Sequence, residues 1–251
     1  RKRRTETKMS IVTDNWSKIW NGKQADEQLL NRDFETVFME LKRLTGNDTT
    51  GGNGVTFDGF KDQYFRIKKY LRMDMSESKS PSIFEVGCGS GPFLLMFQKD
   101  GFRVGGCDYS SSLIDVAKKV LSHPVELYCG EAVDIDPDVK YDSVMSNSVF
   151  EYFESDEYAE KVMQKMLEKA EYSIGILDVH DAEKKDEYLQ YRRSIIQNYD
   201  ERYKNLDKKF FNKSFFERFA KKNQVMIEFR ETNIRGYWNN EFVYDVYMYK
   251  R

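Results

Sequence analysis

The sequence is poor in the residues that mark disulfide-bonded, metal-binding and membrane proteins. Its three cysteines are odd in number and lack paired spacing, which argues against a disulfide framework or a zinc site and favours a reducing, cytoplasmic setting. No apolar run is long enough to span a membrane, and no secretory leader pattern occurs. Histidines number only two, and we predict no metal site.

An excess of charge of one sign is also missing. The chain has 40 Lys and Arg against 42 Asp and Glu, a formal charge of -2, so no global field draws it to nucleic acid or anionic lipid. No element carries a basic stripe with interleaved aromatics, which disfavours nucleic acid as a partner. The basic start, Arg1 to Arg4, fits a solvated tail best. We expect a small-molecule partner, and the sequence leaves the oligomeric state open.

The sequence does contain enough apolar material for one large core. Hydrophobic residues make up 40% and aromatic residues 15%, which argues against disorder. In residues 10–45, apolar residues such as Trp16 and Trp20 recur at helical spacing. A glycine-containing loop at 45–54 and a second helix in "FDGFKDQYFRIKKYL" follow. We therefore predict that residues 1–80 form a tail and a helical cap or lid.

Strand-like and helix-like runs alternate from Ser82 onward, which is typical of a parallel sheet covered by helices on both faces. The last two strand-like runs suit an antiparallel hairpin at the sheet edge. Residues 81–251 are thus expected to form an α/β unit that ends in this hairpin. Strands are predicted at residues 83–86, 103–107, 125–129, 141–146, 173–179, 225–230 and 242–249.

A glycine loop, "EVGCGSGP", follows the first predicted strand. Gly87, Gly89 and Gly91 permit a tight turn and let a ligand approach the backbone near a helix start. A dinucleotide fingerprint would need glycine where Pro92 stands, and proline instead suits the first turn of a helix. Glu85 would repel a pyrophosphate and attract a cation. The ammonium and sulfonium of S-adenosylmethionine fit this loop better than NAD does, and no second domain supports an NAD-dependent oxidoreductase.

Two later strand ends supply further candidates for a nucleoside site. Asp108 ends the second predicted strand, 21 positions after Gly87 (108 minus 87), where such folds place a carboxylate that accepts hydrogen bonds from ribose hydroxyls. The alternative is a turn aspartate before a helix cap. Glu131 and Ala132 follow the third strand, where Glu131 could accept a hydrogen bond from an adenine amino group or simply face solvent.

Four ordered segments, "EVGCGSG", "GCDYSSSLIDVAKK", "CGEAVDI" and "YDSVMSNSVFEYF", resemble the motifs of class I S-adenosylmethionine-dependent methyltransferases over residues 82–179. The resemblance implies a Rossmann-like, mostly parallel sheet of seven strands with the family's reversed final hairpin. Glu131 departs from the aspartate that is commoner in the family. The implied contacts are the three glycines at the methionine moiety, Glu85 at its ammonium, Asp108 at the ribose, Tyr109 beside the adenine, Glu131 with Ala132 at the adenine edge, and Asn147 beneath the methionine portion.

Methyl transfer from a sulfonium requires alignment of the acceptor and exclusion of water, and a hydroxyl acceptor also benefits from a base. His180 should emerge at the carboxyl end of the fifth strand, flanked by Asp178 and Asp181. We predict His180 as a general base, with Asp181 as its orienting partner or an alternative base; the competing interpretation is a strand-end histidine that touches no substrate. Arg192 and Arg193 could meet a carboxylate or phosphate, or lie on a solvated helix face.

The predicted function is methyl transfer from S-adenosylmethionine to an oxygen or nitrogen of a small molecule, such as a sugar or another biosynthetic intermediate, with S-adenosylhomocysteine as the second product. One alternative is a non-catalytic module that binds S-adenosylmethionine. Another is a methyltransferase acting on a macromolecule, protein or RNA, although "SNSV" lacks the N/D-P-P-Y/F signature of methyltransferases acting on amino groups of bases and protein amides. The sequence does not choose an acceptor.

Overall fold

The computed structural model describes residues 29–46, 54–73 and 80–250. Trp16 and Trp20, proposed above as parts of an N-terminal helix, lie outside these residues. Within them, the predicted continuous helix through residue 45 is wrong, because a short 3-10 helix, Leu29–Asn31, ends before Asp33. Asp33 has extended backbone angles, and its side chain accepts a hydrogen bond from Thr36 N (3.0 Å), so it caps a new helix.

All seven predicted strands are present and form one sheet in the order β3-β2-β1-β4-β5-β7-β6. Strands β1 to β5 pair in parallel, whereas β7 is antiparallel to both β5 and β6. This confirms the Rossmann-like sheet and the reversed final hairpin. The strands are β1 Ser82–Val86, β2 Arg103–Asp108, β3 Glu126–Cys129, β4 Tyr141–Asn147, β5 Ala170–His180, β6 Met226–Glu231 and β7 Val243–Tyr249.

Helices cover both faces of the sheet and bury their apolar stripes against it. Pro92 is the first residue of the helix after the glycine loop, as predicted, and the Ser110 side chain caps the next helix by accepting from Leu113 N (3.4 Å). The α-helices are α1 Phe34–Thr45, α2 Phe57–Tyr70, α3 Pro92–Lys99, α4 Ser111–Val120, α5 Asp156–Lys169, α6 Lys185–Ile195, α7 Tyr199–Arg202 and α8 Lys213–Asn223.

The two N-terminal helices share a hydrophobic core with the sheet. Phe38 of α1 and Phe60 of α2 pack in one buried cluster with Ile83 of β1 and Phe93 of α3. Ser90 also donates a hydrogen bond to the carbonyl of Leu41 (2.9 Å), which ties α1 to the glycine loop. These contacts hold the end of α1 beside the carboxyl end of β1. The boundary at residue 80 remains a prediction.

The strand order locates the ligand-binding edge of the sheet. From β1 the chain proceeds outward through β2 and β3, and the later strands build outward on the other side from β4. Ligands of open parallel sheets bind at such a point of reversal, outside the carboxyl ends of the strands. Among the described residues, no helix is both long and apolar enough to cross a membrane.

Candidate active site

A cavity of about 500 Å³ lies at this carboxyl edge. The loops after β1, β2, β3 and β4, the last residues of β5 and the end of α1 surround it. Its volume falls in the range of roughly 300–1,000 Å³ that is usual for small-molecule sites. The cavity coincides with the point of reversal in the sheet, and we therefore treat it as the candidate active site.

The glycine loop forms one wall of the cavity and requires left-handed backbone at each glycine. Gly87, Gly89 and Gly91 have φ angles of 72°, 54° and 80°. A side-chain carbon on Gly87 would overlap Val149, and one on Gly89 would overlap Thr45. Gly87 and Gly89 line the cavity, whereas Gly91 precedes the first residue of α3 and does not. The predicted ligand contact thus concerns the first two glycines.

Asp108 ties the glycine loop to the end of β2. Its two carboxylate oxygens accept hydrogen bonds from Gly89 N and Ser110 N, both at 2.8 Å. Burial raises the pKa of Asp108 to about 6, although the two backbone donors act in the opposite direction. A carboxylate has about four acceptor positions, so each oxygen can accept one more hydrogen bond. Asp108 lines the cavity and is placed to receive further hydroxyl donors.

Glu85 and Lys42 are two buried ionisable residues beside the glycine loop. Glu85, on β1, is 3% exposed, and its Oε2 has no hydrogen-bond partner among the described residues. Burial raises the pKa of Glu85 to about 8, while Lys42 lowers it. Lys42, near the end of α1, is 9% exposed, and its Nζ lies 4.8 Å from the Phe60 ring and 5.2 Å from the Phe93 ring. Both charged residues line the cavity.

A third group of lining residues follows β2 and β3. Tyr109, Glu131 and Ala132 are each partly buried and line the cavity, as predicted. The Tyr158 hydroxyl donates a hydrogen bond to Glu131 Oε2 (2.9 Å), which fixes that carboxylate. The Tyr109 hydroxyl is buried without a partner in the described part of the chain. This region of the lining is partly apolar and contains one oriented carboxylate.

The fourth group lies at the carboxyl ends of β4 and β5. Asn147 lines the cavity, as predicted, and its Oδ1 is buried without a partner among the described residues. Asp178, 3% exposed, accepts hydrogen bonds from the Ser148 hydroxyl (2.6 Å) and from the Tyr237 hydroxyl (3.0 and 2.9 Å to its two oxygens). Asn239 donates to the Tyr237 hydroxyl (3.2 Å). A polar network therefore closes this side.

A buried acid and a half-buried base complete the same side of the cavity. Glu151 is 2% exposed, and its Oε1 lies 3.9 Å from Lys208 Nζ. Burial raises the pKa of Glu151, Lys208 lowers it, and the charge of Asp178 raises it further. Lys208 comes from the segment between α7 and α8, far along the chain from the glycine motifs. Trp238 lines the cavity next to Tyr237.

His180 and Asp181, the predicted catalytic pair, do not line this cavity. His180 is 1% exposed and packs against the rings of Tyr188 (5.0 Å) and Phe210 (5.1 Å). Its Nε2 lies 3.3 Å from Asn239 Nδ2, and Asn239 rather than His180 lines the cavity. Burial lowers the pKa of His180 well below its usual range, and Asp181 caps a short 3-10 helix. Their role as bases remains a prediction, without direct contact to this cavity.

The structure brings together eight of the nine residues predicted to bind a cofactor, and Gly91 is the exception. It also adds residues that the sequence patterns did not single out, namely Lys42, Ser148, Glu151, Lys208, Tyr237 and Asn239. Arg192 is buried over the ring of Trp238 at 4.8 Å and is not part of the lining. In the described parts of the chain, no cluster of His, Cys, Asp and Glu could hold a metal ion.

Residues 83–170 match the family model described as a methyltransferase domain. Over 121 residues the chain is 30% identical to the malonyl-[acyl-carrier protein] O-methyltransferase of Priestia megaterium. That alignment covers 46% of this chain and 44% of the relative. The chain therefore spans less than half the length of the curated relative that it matches.

Solved methyltransferase structures have the same fold. The magnesium protoporphyrin IX methyltransferase from Synechocystis PCC 6803, with bound S-adenosylmethionine, aligns with a TM-score of 0.59 over 90% of this chain and 98% of its own, at 15% identity. The plantazolicin methyltransferase, in complex with a substrate analogue and S-adenosylhomocysteine, aligns with a TM-score of 0.59 over 95% of this chain and 98% of its own, at 14% identity. At these identities the likeness establishes the fold alone.

Proposed function

We propose that this chain transfers a methyl group to an oxygen or nitrogen of a small-molecule acceptor. The premise is that it belongs to the class I S-adenosylmethionine-dependent methyltransferase family. The observation that carries the proposal is the shared cavity. Residues of the cofactor motifs, including Glu85 and Asp108, line it together with a second polar group around Asp178. A cofactor and an acceptor could thus meet in one cavity.

The residues at the glycine loop fit S-adenosylmethionine in both shape and charge. The positive φ angles of Gly87 and Gly89 and the close approach of Val149 and Thr45 fix the loop beside the cavity, and the buried, unpartnered Oε2 of Glu85 can accept a hydrogen bond from the ligand's ammonium. Lys42 supplies the opposite charge for the ligand's carboxylate. The matching of one buried acid and one buried base to a zwitterion is the main electrostatic support for this assignment.

The nucleoside half of the ligand is assigned to the part of the lining after β2 and β3. Asp108 would accept hydrogen bonds from the ribose hydroxyls, while Tyr109, Glu131 and Ala132 would contact the adenine. When bound, the cofactor supplies an electrophilic methyl group on a sulfonium. The protein's own contribution is to orient the two reactants and to exclude water from the cavity.

The size of the cavity supports a small acceptor over a macromolecule. The formal charge of -2 provides no general attraction to nucleic acid. The acceptors of the similar methyltransferases are known only for those proteins, and they differ enough that we carry none over. A sugar or another biosynthetic intermediate remains our proposal for the acceptor class, together with a cytoplasmic setting.

Calorimetry with S-adenosylmethionine and S-adenosylhomocysteine tests the first half of the proposal. Gly89→Val provides a loop variant that should bind both ligands at least about tenfold more weakly, because the added side chain overlaps Thr45. Incubation with [methyl-14C]S-adenosylmethionine and a pooled small-molecule extract tests the second half. Absence of binding by the wild-type protein would refute the proposal, and binding without transfer to any acceptor would favour the non-catalytic module.

A further inference from the structure

Asp178 stands in a backbone conformation that an ordinary strand does not have. Its φ is 61°, and that of Ser148, at the end of the neighbouring strand, is 57°. The register of β5 on β7 runs from Ile176 opposite Val246 to Val179 opposite Tyr244, so β5 contains one extra residue. Such bulges redirect side chains and occur next to active sites. Non-glycine residues with positive φ persist where the surroundings impose them, often at functional sites.

The hydrogen bonds of Asp178 leave it able to accept from a ligand. The hydroxyls of Ser148 and Tyr237 donate to it, and its backbone N–H donates to Asp245 Oδ1 (3.0 Å). An ionised carboxylate offers about four acceptor positions and no donor. Asp178 lines the cavity, so the matching ligand group is one that carries an O–H or N–H.

The chemistry of methyl transfer selects among such groups. Lys42, Lys208, Asp178 and Glu151 all line this cavity, so an acceptor of either charge meets an opposite as well as a like charge, and charge alone does not choose. A protonated amine has no free electron pair with which to attack the methyl group, and a carboxylate attacks without giving up a proton. A neutral hydroxyl donates a hydrogen bond to Asp178 and must lose its proton as it is methylated, so it is the acceptor that needs a base.

We propose that Asp178 is the catalytic base and that the acceptor is a neutral hydroxyl compound. This assignment rests on the methyl transfer proposed above. The acceptor oxygen forms a bond to the methyl carbon while its proton passes to an Asp178 carboxylate oxygen. The electron pair of the broken sulfur–methyl bond stays on sulfur, which changes from a sulfonium to a thioether. The products are a methyl ether, S-adenosylhomocysteine and protonated Asp178, which returns its proton to water.

Ser148 and Tyr237 act as positioning residues in this scheme, since each holds the carboxylate by a hydroxyl hydrogen bond. Burial raises the pKa of Asp178 above its ordinary value, although the bonds from Ser148 and Tyr237 lower it. A raised pKa suits a group that must take up a proton during turnover.

The test combines product chemistry with matched variants. The wild-type protein is incubated with [methyl-14C]S-adenosylmethionine and a pooled small-molecule extract, and the labelled product is treated with hot alkali and passed over a cation exchanger. A methyl ether keeps its label in alkali and is not retained; a methyl ester releases labelled methanol; a methylamine is retained. Asp178→Asn and His180→Ala are then assayed with the purified product's parent compound.

We expect an ether and a fall in kcat of at least about 100-fold in Asp178→Asn, within the range that general bases contribute. The Kd for S-adenosylhomocysteine should stay within about twofold, because Asn keeps the shape and tolerates positive φ. Asp142→Asn is the control: Asp142 accepts two hydrogen bonds from Ser82 at the opposite edge of the sheet, and its removal should leave kcat unchanged.

The remaining outcomes separate the two proposals. A labelled ester or methylamine, or an active Asp178→Asn enzyme, overturns the role of Asp178 while methyl transfer stands. Loss of kcat in His180→Ala with full activity in Asp178→Asn transfers the base to His180. If S-adenosylhomocysteine binds and no acceptor is labelled, methyl transfer itself is refuted, and the role of Asp178 falls with it.

Discussion

Lys42 offers the sharpest test of how the cavity holds a zwitterion. Its ammonium is buried between two aromatic rings and has no ion-pair partner in the described part of the chain. Lys42→Met keeps most of the side-chain stem and removes only the charge. If Lys42 binds the ligand's carboxylate, this variant should bind S-adenosylhomocysteine less tightly and leave the nucleoside contacts intact.

The expected size of the effect follows from the kind of contact that is lost. A hydrogen bond to a charged group is worth about 1.5–3 kcal/mol, and each 1.4 kcal/mol corresponds to a factor of about ten in Kd. The Kd for S-adenosylhomocysteine should therefore rise by about 10- to 100-fold. Loss of the Lys42 charge also raises the pKa of Glu85 further, which weakens binding of the ligand's ammonium in the same direction.

Calorimetry with two ligands isolates the effect. 5′-Methylthioadenosine has the adenine, ribose and thioether of the cofactor but no amino-acid group, so its Kd should change less than about twofold in Lys42→Met. Lys68→Met is the control, because Lys68 also lies over two rings, those of Tyr64 (5.5 Å) and Phe102 (5.3 Å), but pairs with Asp100 outside the cavity. Equal weakening of both ligands, or no change in either, would refute the assignment.

Three further predictions concern the same cavity. The pKa of Glu85 lies near 8 and its ionised form binds the ammonium, so affinity for S-adenosylhomocysteine should rise by up to ~100-fold from about pH 6 to pH 8. Calorimetry across this range should find no such dependence of affinity on pH in Glu85→Gln. A flat profile in the wild-type protein would contradict the binding of the ammonium by Glu85. Gly89→Val should weaken the binding of both nucleoside ligands by at least about tenfold without unfolding the protein, because φ of 54° and the contact with Thr45 exclude a branched side chain. Calorimetry measures the affinity and circular dichroism the folding. Unchanged affinity would be inconsistent with this loop geometry. Burial raises the pKa values of Glu85 and Glu151, so their contribution to the free energy of unfolding is complete below their ordinary pKa values and is lost as pH rises toward 8. The melting temperature should fall over that pH interval, and less steeply in Glu151→Gln. An equal slope in the two proteins would show that Glu151 does not contribute to this pH dependence.

The residues predicted to bind a cofactor could be assigned to one cavity from the sequence, because their positions follow from local pattern. Glu85 and Asp108 stand at the ends of short apolar strands, and parallel strands bring their carboxyl ends to one edge of the sheet. The glycines signal left-handed turns directly in the sequence. The strand limits differed from the structure by three residues or fewer at either end, because the strands are short apolar runs bounded by polar or glycine-containing loops.

The acceptor side could not be predicted in the same way. Lys42 lies on an amphipathic helix where a lysine normally faces solvent, and the packing of α1 against Phe60 of α2 and Phe93 of α3 buries it. Lys208 approaches from a segment with no motif. His180 was placed correctly at the end of β5, but the bulge before it makes Asp178 the residue that lines the cavity. Bulges and tertiary burial leave little local signal.

The same arrangement couples the two halves of the cavity through Lys42. The charges of Glu85 and Asp178 both raise the pKa of Lys42, against the larger lowering by burial, so a single ammonium balances the carboxylate at the cofactor side and the one at the acceptor side. A ligand carboxylate that takes up the Lys42 charge leaves Asp178 less well compensated and raises its affinity for a proton. Binding of the cofactor should therefore make Asp178 a stronger base, which links occupancy of one side to reactivity at the other.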